Sequence, residues 1–189
     1  MVRIATVEDA EMILNLYSYY IEYTAITFEY TIPTVEEFRE RIRTTLEKFP
    51  YLVYEERGKI LGYAYAGTFN KRAAAAWMVE TSVYVHRNAG GRGIGKVLYE
   101  ELEKYLKKQN IITMIACITE LEVANNYITK KSMEFHQHMG YKKAGKIKKA
   151  GYKFGTWYNL AFVQKQIGKY IQDPPEVISF PEVLEQKKA

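Results

Sequence analysis

The chain has 189 residues, of which 48% are hydrophobic and 26% are charged. These are ordinary globular values, so wholesale disorder is excluded, and the length fits one domain with a full core. The formal net charge is +5, but the lysines are spread along the chain without a basic stripe, so we expect no nucleic-acid partner. The N-terminus lacks a signal-peptide pattern, and the longest apolar run is far below the roughly 20 residues that cross a bilayer. A soluble, cytoplasmic protein without membrane contact is therefore expected.

The N-terminal part of the chain predicts one strand followed by two helices. The strand covers residues 2–5, and Thr6 with Asp9 forms a capping box for a helix that begins near Glu8. Residues 34–37 form a second capping box. Apolar residues recur at helical spacing after each cap. They are Ile13, Leu16, Tyr17, Tyr20 and Ile21 in the first helix and Phe38, Ile42 and Leu46 in the second.

A hairpin and a third strand come next. Residues 51–56 and 60–67 alternate apolar and polar side chains around the turn 57–59, which indicates a β-hairpin. Residues 77–85 form the following strand, which leads into a glycine-rich loop.

This loop holds four glycines in six residues, Gly90, Gly91, Gly93 and Gly95. Glycine permits positive φ angles that turn backbone N–H groups inward, and the helix predicted over 94–107 adds the positive end of its dipole. The loop is therefore predicted to hold a phosphate-bearing ligand. The alternative is a tight strand-to-helix turn without a ligand.

Two other classes of phosphate loop do not fit these residues. A P-loop needs Ser or Thr after Gly-Lys to hold Mg²⁺, and this chain has Val97 there. A dinucleotide fingerprint needs G-x-G-x-x-G, but the third glycine comes one residue early, at Gly95, and no acidic ribose ligand follows the next strand. Neither a nucleotide hydrolase nor a dinucleotide-binding domain is predicted.

The remaining elements complete an alternating pattern. The run 111–118 is continuously apolar, as in a strand that is covered on both faces. A helix is predicted over 129–139, and residues 141–149 and 157–164 form an antiparallel pair. The resulting order is β-α-α-β-β-β-α-β-α-β-β.

Cys117 is the only cysteine, so an intramolecular disulfide and a cysteine-rich metal site are excluded. Its place in an apolar strand favours a buried structural thiol over a reactive nucleophile. His86 and His138 have no partner at a spacing typical of a metal site, so no metal is predicted.

Together these features resemble the GCN5-related N-acetyltransferase (GNAT) superfamily, and in particular its phosphinothricin and methionine sulfoximine acetyltransferase branch. Gly93 and Gly95 match the glycines of the superfamily motif (Gln/Arg)-x-x-Gly-x-(Gly/Ala). The likeness extends from about residue 27 to 166 and is carried by the segments FPYLVYEERGKILGYAYAG, WMVETSVYV, GGRGIG, SMEFHQHMGYKKAG and GYKFGTWYNLAFVQK. It implies an α+β (α/β) acyl-CoA N-acyltransferase fold, with a mixed central sheet flanked by about four helices. The implied single domain covers 1–168, with a C-terminal tail over 169–189.

The resemblance implies acetyl-CoA as the acyl donor and assigns it a binding path. The strand that ends before the glycine loop would pair with the pantetheine arm, and the loop would hold the diphosphate. The implied cofactor-binding residues are Val83, Tyr84, Val85, Gly91, Arg92, Gly93, Ile94, Gly95, Lys96, Asn126 and Ser132. The leading Gln or Arg of the motif falls on Gly90, so Arg87, Arg92 or Lys96 would supply its charge.

Two acid/base candidates follow from the same resemblance. Glu80 matches the glutamate of the W-x-V-E segment and would be the general base that deprotonates an acceptor amine. The alternative for Glu80 is a strand glutamate that faces solvent or pairs with a lysine. His136, in the segment FH-x-x-x-GY, is the second candidate, and its alternative is a structural histidine on the buried side of a helix.

The acceptor pocket is implied by fewer residues. Phe28 and Arg72 match residues that line it in the family, where a guanidinium can bind a carboxylate through two hydrogen bonds. Related chains usually read Arg-x-x-Tyr-Asp-Trp, whereas Ala75 and Ala76 precede Trp77 here, so we expect a reshaped pocket.

The implied enzyme transfers acetyl from acetyl-CoA to the α-amino group of a small amino acid or analogue of the methionine sulfoximine, methionine sulfone or phosphinothricin type. The alternatives are an acetyltransferase acting on protein N-termini or polyamines, and a non-catalytic acyl-CoA sensor. The resemblance also implies a homodimer with the last strands and the tail in its interface.

Overall fold

The computed structural model describes residues 1–186; the last three residues of the predicted tail lie outside this range. The elements in chain order are β1 Val2–Ile4, α1 Ala10–Tyr23, α2 Val35–Leu46, β2 Tyr51–Glu56, β3 Lys59–Thr68, β4 Met78–Val85, α3 Ile94–Lys108, β5 Thr113–Glu120, α4 Lys131–His138, β6 Lys142–Lys153, β7 Thr156–Gln166 and α5 Phe180–Glu185. The predicted order of strands and helices is confirmed through β7. In this range no helix has the length and apolar character needed to span a bilayer.

The strands form one mixed sheet in the order β1-β2-β3-β4-β5-β7-β6. All neighbours pair antiparallel except β4 and β5, which are parallel. A parallel pair needs a crossover, and α3 with the glycine loop provides it. The loop therefore lies at the end of the central strand β4.

Both faces of the sheet are covered. Helices α1 and α2 lie on one face, with a core that includes Ile13, Ile21 and Ile42. Helix α3 lies on the other face, where Leu98, Leu102 and Leu106 are fully buried and the helix packs on β2, β3 and β4. The amphipathic stripes predicted from the sequence thus face the sheet.

Local signals set most of the element boundaries. Thr34 Oγ1 accepts from Glu37 N at 3.1 Å, and the Glu37 carboxylate accepts from Thr34 N at 2.7 Å, which closes the predicted capping box at the start of α2. The first helix differs slightly from its prediction, because residues 7–9 form a single 3-10 turn and α1 begins at Ala10.

The C-terminal tail contains a helix that the sequence analysis does not predict. Helix α5 is six residues long and begins at a capping box formed by Ser179 and Glu182. Its Phe180 and Val183 are each 1% exposed and join the core under α3. A helix this short has too few turns to show a periodic pattern, so its docking is a tertiary feature. The predicted domain boundary at residue 168 stays a prediction.

The tail is also joined to the domain by polar contacts. Gln109, at the end of α3, donates from Nε2 to Lys48 O at 2.7 Å and to Ile178 O at 2.9 Å. Trp77 Nε1 donates to Pro175 O at 2.7 Å. The bonds to Ile178 and Pro175 hold the tail against the end of α3 and the start of β4.

Candidate active site

Strands β4 and β5 separate in the middle of the sheet. Their parallel pairing ends at Glu80, which lies opposite Ile115. The pairing of β4 with β3 continues to Val85. The second half of β4 therefore has a neighbour on one side only, and an opening begins next to Glu80.

The backbone groups that face this opening can be identified from the alternation of an antiparallel pair. His86 N donates to Leu61 O at 2.8 Å, which fixes the residues of β4 that bond to β3. The alternate residues Thr81, Val83 and Val85 therefore direct their N–H and C=O groups away from β3. The predicted pairing of the strand with a ligand is thus available to the backbone of Val83 and Val85, whereas the backbone of Tyr84 faces β3.

Tyrosine hydroxyls bond to two of these three residues. The Tyr20 hydroxyl donates to Val85 O, and Val85 N donates to the Tyr20 oxygen at 3.3 Å. The Tyr99 hydroxyl lies 3.3 Å from Thr81 O. No side chain of the described residues bonds to the backbone of Val83.

The glycine loop is shaped for an anion. Gly91 and Gly93 have φ angles of +77° and +76°, which L side chains rarely adopt. Gly93 is the N-cap of α3, where no side chain caps the helix and no acidic residue lies in the first turn. The first N–H groups of α3 therefore have no partner from a cap, and the dipole of the helix is not offset by a carboxylate. These features fit a diphosphate.

The basic residues of the loop are held by partners. Arg92 donates to Glu56 at 2.7 Å, and Lys96 lies 3.8 Å from Glu100. The guanidinium of Arg87 lies over the ring of Tyr19, 5.1 Å from its centroid. The side chains of Arg87, Arg92 and Lys96 all lie beside the loop. Each can add positive potential there, and none is assigned a particular contact with the ligand. Gly95, in the first turn of α3, packs tightly, since a Cβ there would come within 3.2 Å of the Phe135 ring, whereas a Cβ on Gly90, Gly91 or Gly93 would meet nothing within 4 Å.

Glu80 is half-buried at the point where the strands separate. Its side chain shares a face of the sheet with Ser82 and Tyr84, the face covered by α1 and α2, because alternate strand residues point the same way. Cys117 lies on this face two residues beyond Ile115, the partner of Glu80 on β5. Burial, together with the charge and hydrogen bond of Glu80, raises the pKa of the Cys117 thiol to about 12. The thiol therefore stays protonated at neutral pH and can donate to the carboxylate.

His136 lies on the opposite face of the sheet. Its side chain is surrounded by the rings of Tyr99, Phe135 and Tyr141, and it is 5% exposed. Nδ1 lies 2.7 Å from Ser132 O and must donate to it, because a carbonyl oxygen only accepts. Nε2 lies 3.1 Å from the Tyr99 hydroxyl, which can donate its single proton either to Nε2 or to Thr81 O. Burial lowers the pKa of His136 and so favours the neutral ring.

A further hydrogen-bonded chain connects this face to β4. Thr81 Oγ1 donates to Ile115 O at 3.1 Å, and the Tyr141 hydroxyl lies 3.1 Å from Thr81 Oγ1. Because the Thr81 hydroxyl uses its proton on the carbonyl, Tyr141 is the donor. Burial raises the pKa of Tyr141. The Tyr141 hydroxyl therefore donates to Thr81 Oγ1 in a structural hydrogen bond.

The loop between β5 and α4 contains two adjacent asparagines with different surroundings. Asn125 accepts from Tyr127 N at 2.9 Å and from Ile128 N at 3.1 Å, and it donates to the Tyr158 hydroxyl at 3.1 Å. The predicted cofactor residue Asn126 is exposed, and its side chain bonds to none of the described residues. Ser132 is half-buried on α4. A cavity of about 320 Å³ lies between this loop, α4 and the end of β5.

The predicted acceptor residues lie in different surroundings. Phe28 packs on β6, where a Cβ on Gly151 would fall 2.5 Å from the Phe28 ring. Its loop is held by Lys153, whose Nζ donates to Thr24 O and Thr27 O at 2.9 Å each. Arg72 is exposed on the loop between β3 and β4 and borders a cavity of about 300 Å³ against the tail. The contacts of the described residues do not join Arg72 to Phe28.

Several residues at the site carry no signal in the sequence that would have identified them. Tyr20 has the pattern of a core residue, Cys117 that of a buried strand, and Lys153 that of a solvent-facing charge. Their contacts depend on elements far away in the chain. Asn125 is different. An asparagine side chain can accept from the backbone N–H two residues later, so the residue type is itself a local signal for an Asx-turn.

Comparisons with known proteins identify the family and the fold. A family model described as "Acetyltransferase (GNAT) domain" matches residues 2–161. The chain belongs to the GNAT acetyltransferase family. It is therefore an acyltransferase by family, and the predicted fold is confirmed.

Similar GNAT proteins are named for amino-acid analogues. The phosphinothricin N-acetyltransferase of Streptomyces viridochromogenes is 30% identical over 164 residues, which cover 87% of this chain and 86% of that protein. The L-methionine sulfoximine/L-methionine sulfone acetyltransferase of Salmonella typhimurium is 28% identical, with 89% and 95% covered. The crystal structure of a phosphinothricin acetyltransferase from Sinorhizobium meliloti in complex with AcCoA has a TM-score of 0.84 at 32% identity, covering 93% of both chains. The resemblance to this GNAT branch is confirmed.

The GNAT domain shows no separate metal centre in residues 1–186, where no three His, Cys, Asp or Glu side chains cluster suitably for an ion.

Proposed function

We propose that this GNAT protein transfers the acetyl group of acetyl-CoA to the α-amino group of a small amino acid or analogue of the methionine sulfoximine, methionine sulfone or phosphinothricin type. Relatives named for these acceptors support the substrate class. The observation that carries the reaction is Glu80, a half-exposed carboxylate at the point where β4 and β5 separate.

The donor binds along β4 and the glycine loop in this proposal. The free backbone groups of Val83 pair with an amide of the pantetheine arm, as in the addition of a strand. The residues from Gly91 to Lys96 receive the diphosphate at the uncapped start of α3. Acetyl-CoA supplies a thioester, and the residues of this chain hold and orient it.

Glu80 acts as the general base. An acceptor ammonium group with a pKa of roughly 8 to 10 must lose a proton before its nitrogen can attack. The proton passes to the Glu80 carboxylate, directly or through water, and the amine then forms a bond to the carbonyl carbon of the thioester. The carbon–sulfur bond breaks and CoA leaves as a thiolate, which needs no dedicated acid near neutral pH because a thiol has a pKa of about 8.5. A backbone N–H near Val83 stabilises the oxyanion.

Cys117 positions Glu80 but forms no acyl-enzyme. Its raised pKa keeps the sulfur protonated, and a protonated thiol is a poor nucleophile. Direct attack by the amine is therefore favoured over transfer through a covalent intermediate.

The acceptor lies between the loop that contains Phe28 and the glutamate face of β4 in this proposal. Phe28 supplies an apolar wall, and Arg72 binds the acceptor carboxylate. Because Ala75 and Ala76 replace bulkier residues near Arg72, the pocket accepts a side chain larger than phosphinothricin.

The test is thiol release from acetyl-CoA with methionine sulfone, methionine sulfoximine, phosphinothricin, other amino acids, polyamines and peptides as acceptors. Saturable turnover with an amino-acid analogue is expected, and it should collapse in Glu80→Gln while calorimetric acetyl-CoA affinity is kept. Turnover with peptides or polyamines alone would show that the acceptor is a protein N-terminus or a polyamine and not an amino-acid analogue. Acetyl-CoA binding without turnover on any acceptor would favour a sensor.

We also propose a cytoplasmic homodimer. Strand β6 is an edge of the sheet, and the β6–β7 hairpin exposes Ile147, Tyr152 and Trp157 by 48 to 54%. The tail adds exposed Tyr170 and Ile171. Sedimentation at twice the 22.0 kDa of one chain is expected, and a monomer at micromolar concentration would contradict the dimer.

A further inference from the structure

Tyr20 is bound to the strand edge that the acyl donor is expected to use. Its hydroxyl bridges the C=O and N–H of Val85, donating to the first and accepting from the second at 3.3 Å. A hydroxyl can do both at once, because it carries one proton and two lone pairs. Val85 thus has its outward-facing hydrogen bonds made within the protein.

The position of Tyr20 is fixed by packing. Its ring meets the Tyr84 ring edge-on, with centroids 5.1 Å apart, and the Tyr19 ring at 5.7 Å. Burial raises the pKa of Tyr20, so the hydroxyl keeps its proton. The contact between Tyr20 and Val85 is therefore held in place by the packing of helix α1.

Val85 also lies on the route between the two ends of the proposed donor site. It is the last residue of β4, so it separates Val83 from the glycine loop. An arm that reaches from the loop to the opening beside Glu80 must pass it. The single N–H of Val85 cannot donate fully to Tyr20 and to an arriving amide together.

We propose that the Tyr20 hydroxyl occupies the place on β4 that the amide-bearing arm of acyl-CoA takes, and that the donor displaces it on binding. This inference rests on the proposed donor path. In the ligand-free protein, the Tyr20 hydroxyl makes the outward-facing hydrogen bonds of Val85. The donor must break this contact in order to bind, so its affinity is lowered by the free energy of the contact. Val83, which has no such partner, is the residue that the arm pairs with without competition.

The proposal predicts a gain in affinity from a deletion. Tyr20→Phe keeps the ring and its packing but leaves the Val85 N–H and C=O without the hydroxyl. Acetyl-CoA should then bind about 2- to 10-fold more tightly by calorimetry, the range expected for one intramolecular hydrogen bond. Adenosine 3′,5′-bisphosphate, which lacks the arm, should bind equally to parent and variant. Tyr23→Phe, an exposed tyrosine on the same helix, is the matched control and should change neither affinity.

Hydrogen exchange of single amides provides a readout independent of turnover. In the parent, the Val85 amide should exchange slowly with and without acetyl-CoA, because either Tyr20 or the arm accepts from it. In Tyr20→Phe it should exchange fast alone and slowly with saturating acetyl-CoA. The Val83 amide should slow on binding in both proteins.

The outcomes separate this inference from the donor path. If Val83 slows but Val85 stays fast in Tyr20→Phe with acetyl-CoA, the donor follows β4 without replacing Tyr20, and the inference is overturned. Unchanged or weaker acetyl-CoA binding, or an equal gain with the bisphosphate, would overturn it too. If neither amide slows, the donor path itself is wrong.

Discussion

The two faces of β4 hold the two acid/base candidates in opposite environments. Glu80 lies on the face under α1 and α2, half-exposed beside an opening. His136 reaches the other face, where the rings of Tyr99 and Tyr141 enclose it and both its nitrogens are bonded. A group that exchanges protons with a substrate needs access to it. The comparison therefore favours Glu80 as the catalytic group and His136 as a support for the strand.

The same comparison applies to neighbouring residues of the strand. Thr81 is 2% exposed and belongs to a hydrogen-bonded chain with Tyr141. Ser82, the next residue, is half-buried on the glutamate face. Thr81 is thus enclosed on one face of β4, whereas Glu80 and Ser82 stay partly exposed on the other, and substitutions on each should report different quantities.

The largest expected effect is on turnover. Glu80→Gln keeps the shape of the side chain and removes the base, so kcat should fall about 100- to 10,000-fold. His136→Gln should reduce kcat less than about tenfold, because the histidine contacts no substrate. Steady-state kinetics with the best acceptor measures both, and a larger loss for His136→Gln would reverse the assignment of the two faces.

The second effect is on stability. His136→Ala removes a buried ring together with its hydrogen bonds to Tyr99 and Ser132, so the free energy of unfolding should fall by about 2–4 kcal/mol. His138→Ala, an exposed histidine on the same helix, should stay within about 0.5 kcal/mol of the parent. Urea denaturation compares the three, and equal losses for both variants would contradict a special role for the enclosed face.

The stability provided by His136 should also depend on pH. Its pKa is lowered in the folded protein, while the unfolded chain binds a proton near pH 6.5. The unfolded state therefore gains protons first as the pH falls, so this contribution is present above about pH 6.5 and is lost below it. The difference in unfolding free energy between parent and His136→Ala should shrink from pH 7.5 to 5. A constant difference would mean that the ring is not held neutral.

A smaller difference in stability is expected for the adjacent strand residues. Thr81→Val removes the hydroxyl between Tyr141 and Ile115 O at nearly constant volume, which should cost about 1–3 kcal/mol. Ser82→Ala should cost less than about 1 kcal/mol, because water can reach that face. A loss for Ser82→Ala as large as that for Thr81→Val would show that both faces are equally sealed.

The smallest effect concerns the thiol on the glutamate face. Glu80→Gln removes the negative charge that helps to raise the pKa of Cys117, so alkylation by iodoacetamide at pH 8 should be about 5-fold faster. Glu134→Gln, an exposed glutamate on α4, is the control. Since Cys117 is the only cysteine, mass spectrometry reads this site alone. Equal rates would place the carboxylate away from the thiol.

Much of the fold could be predicted because its signals are local. The capping box at Thr34, the turn at Gly58 and the apolar stripe of α3 act within a few residues of the chain. Each was found within one or two residues of its predicted place. Helix α5 was not predicted from the sequence, because its six residues are held in a helix by their docking on the core.

The candidate site was predictable only in part. The sequence pattern and its family resemblance selected Glu80, Gly93 and Gly95 as site candidates, because a carboxylate's chemistry and a glycine's backbone freedom follow from the residue type. The same reasoning selected Asn126, whereas the structure organises the loop through its neighbour Asn125. Only the hydrogen bonds distinguish these two identical neighbouring residues.

The sequence by itself determined which residues form helices α1 to α4, where the glycine loop lies and that the chain is a GNAT acetyltransferase, because these depend on short-range pattern and residue chemistry. The tertiary structure alone decided which backbone groups of β4 are open, that Tyr20 bonds to Val85, that Cys117 meets Glu80 and that His136 is enclosed. These contacts depend on strand register and on which face each side chain takes. Both are set by pairing between segments 35 to 65 residues apart, and no local pattern encodes them.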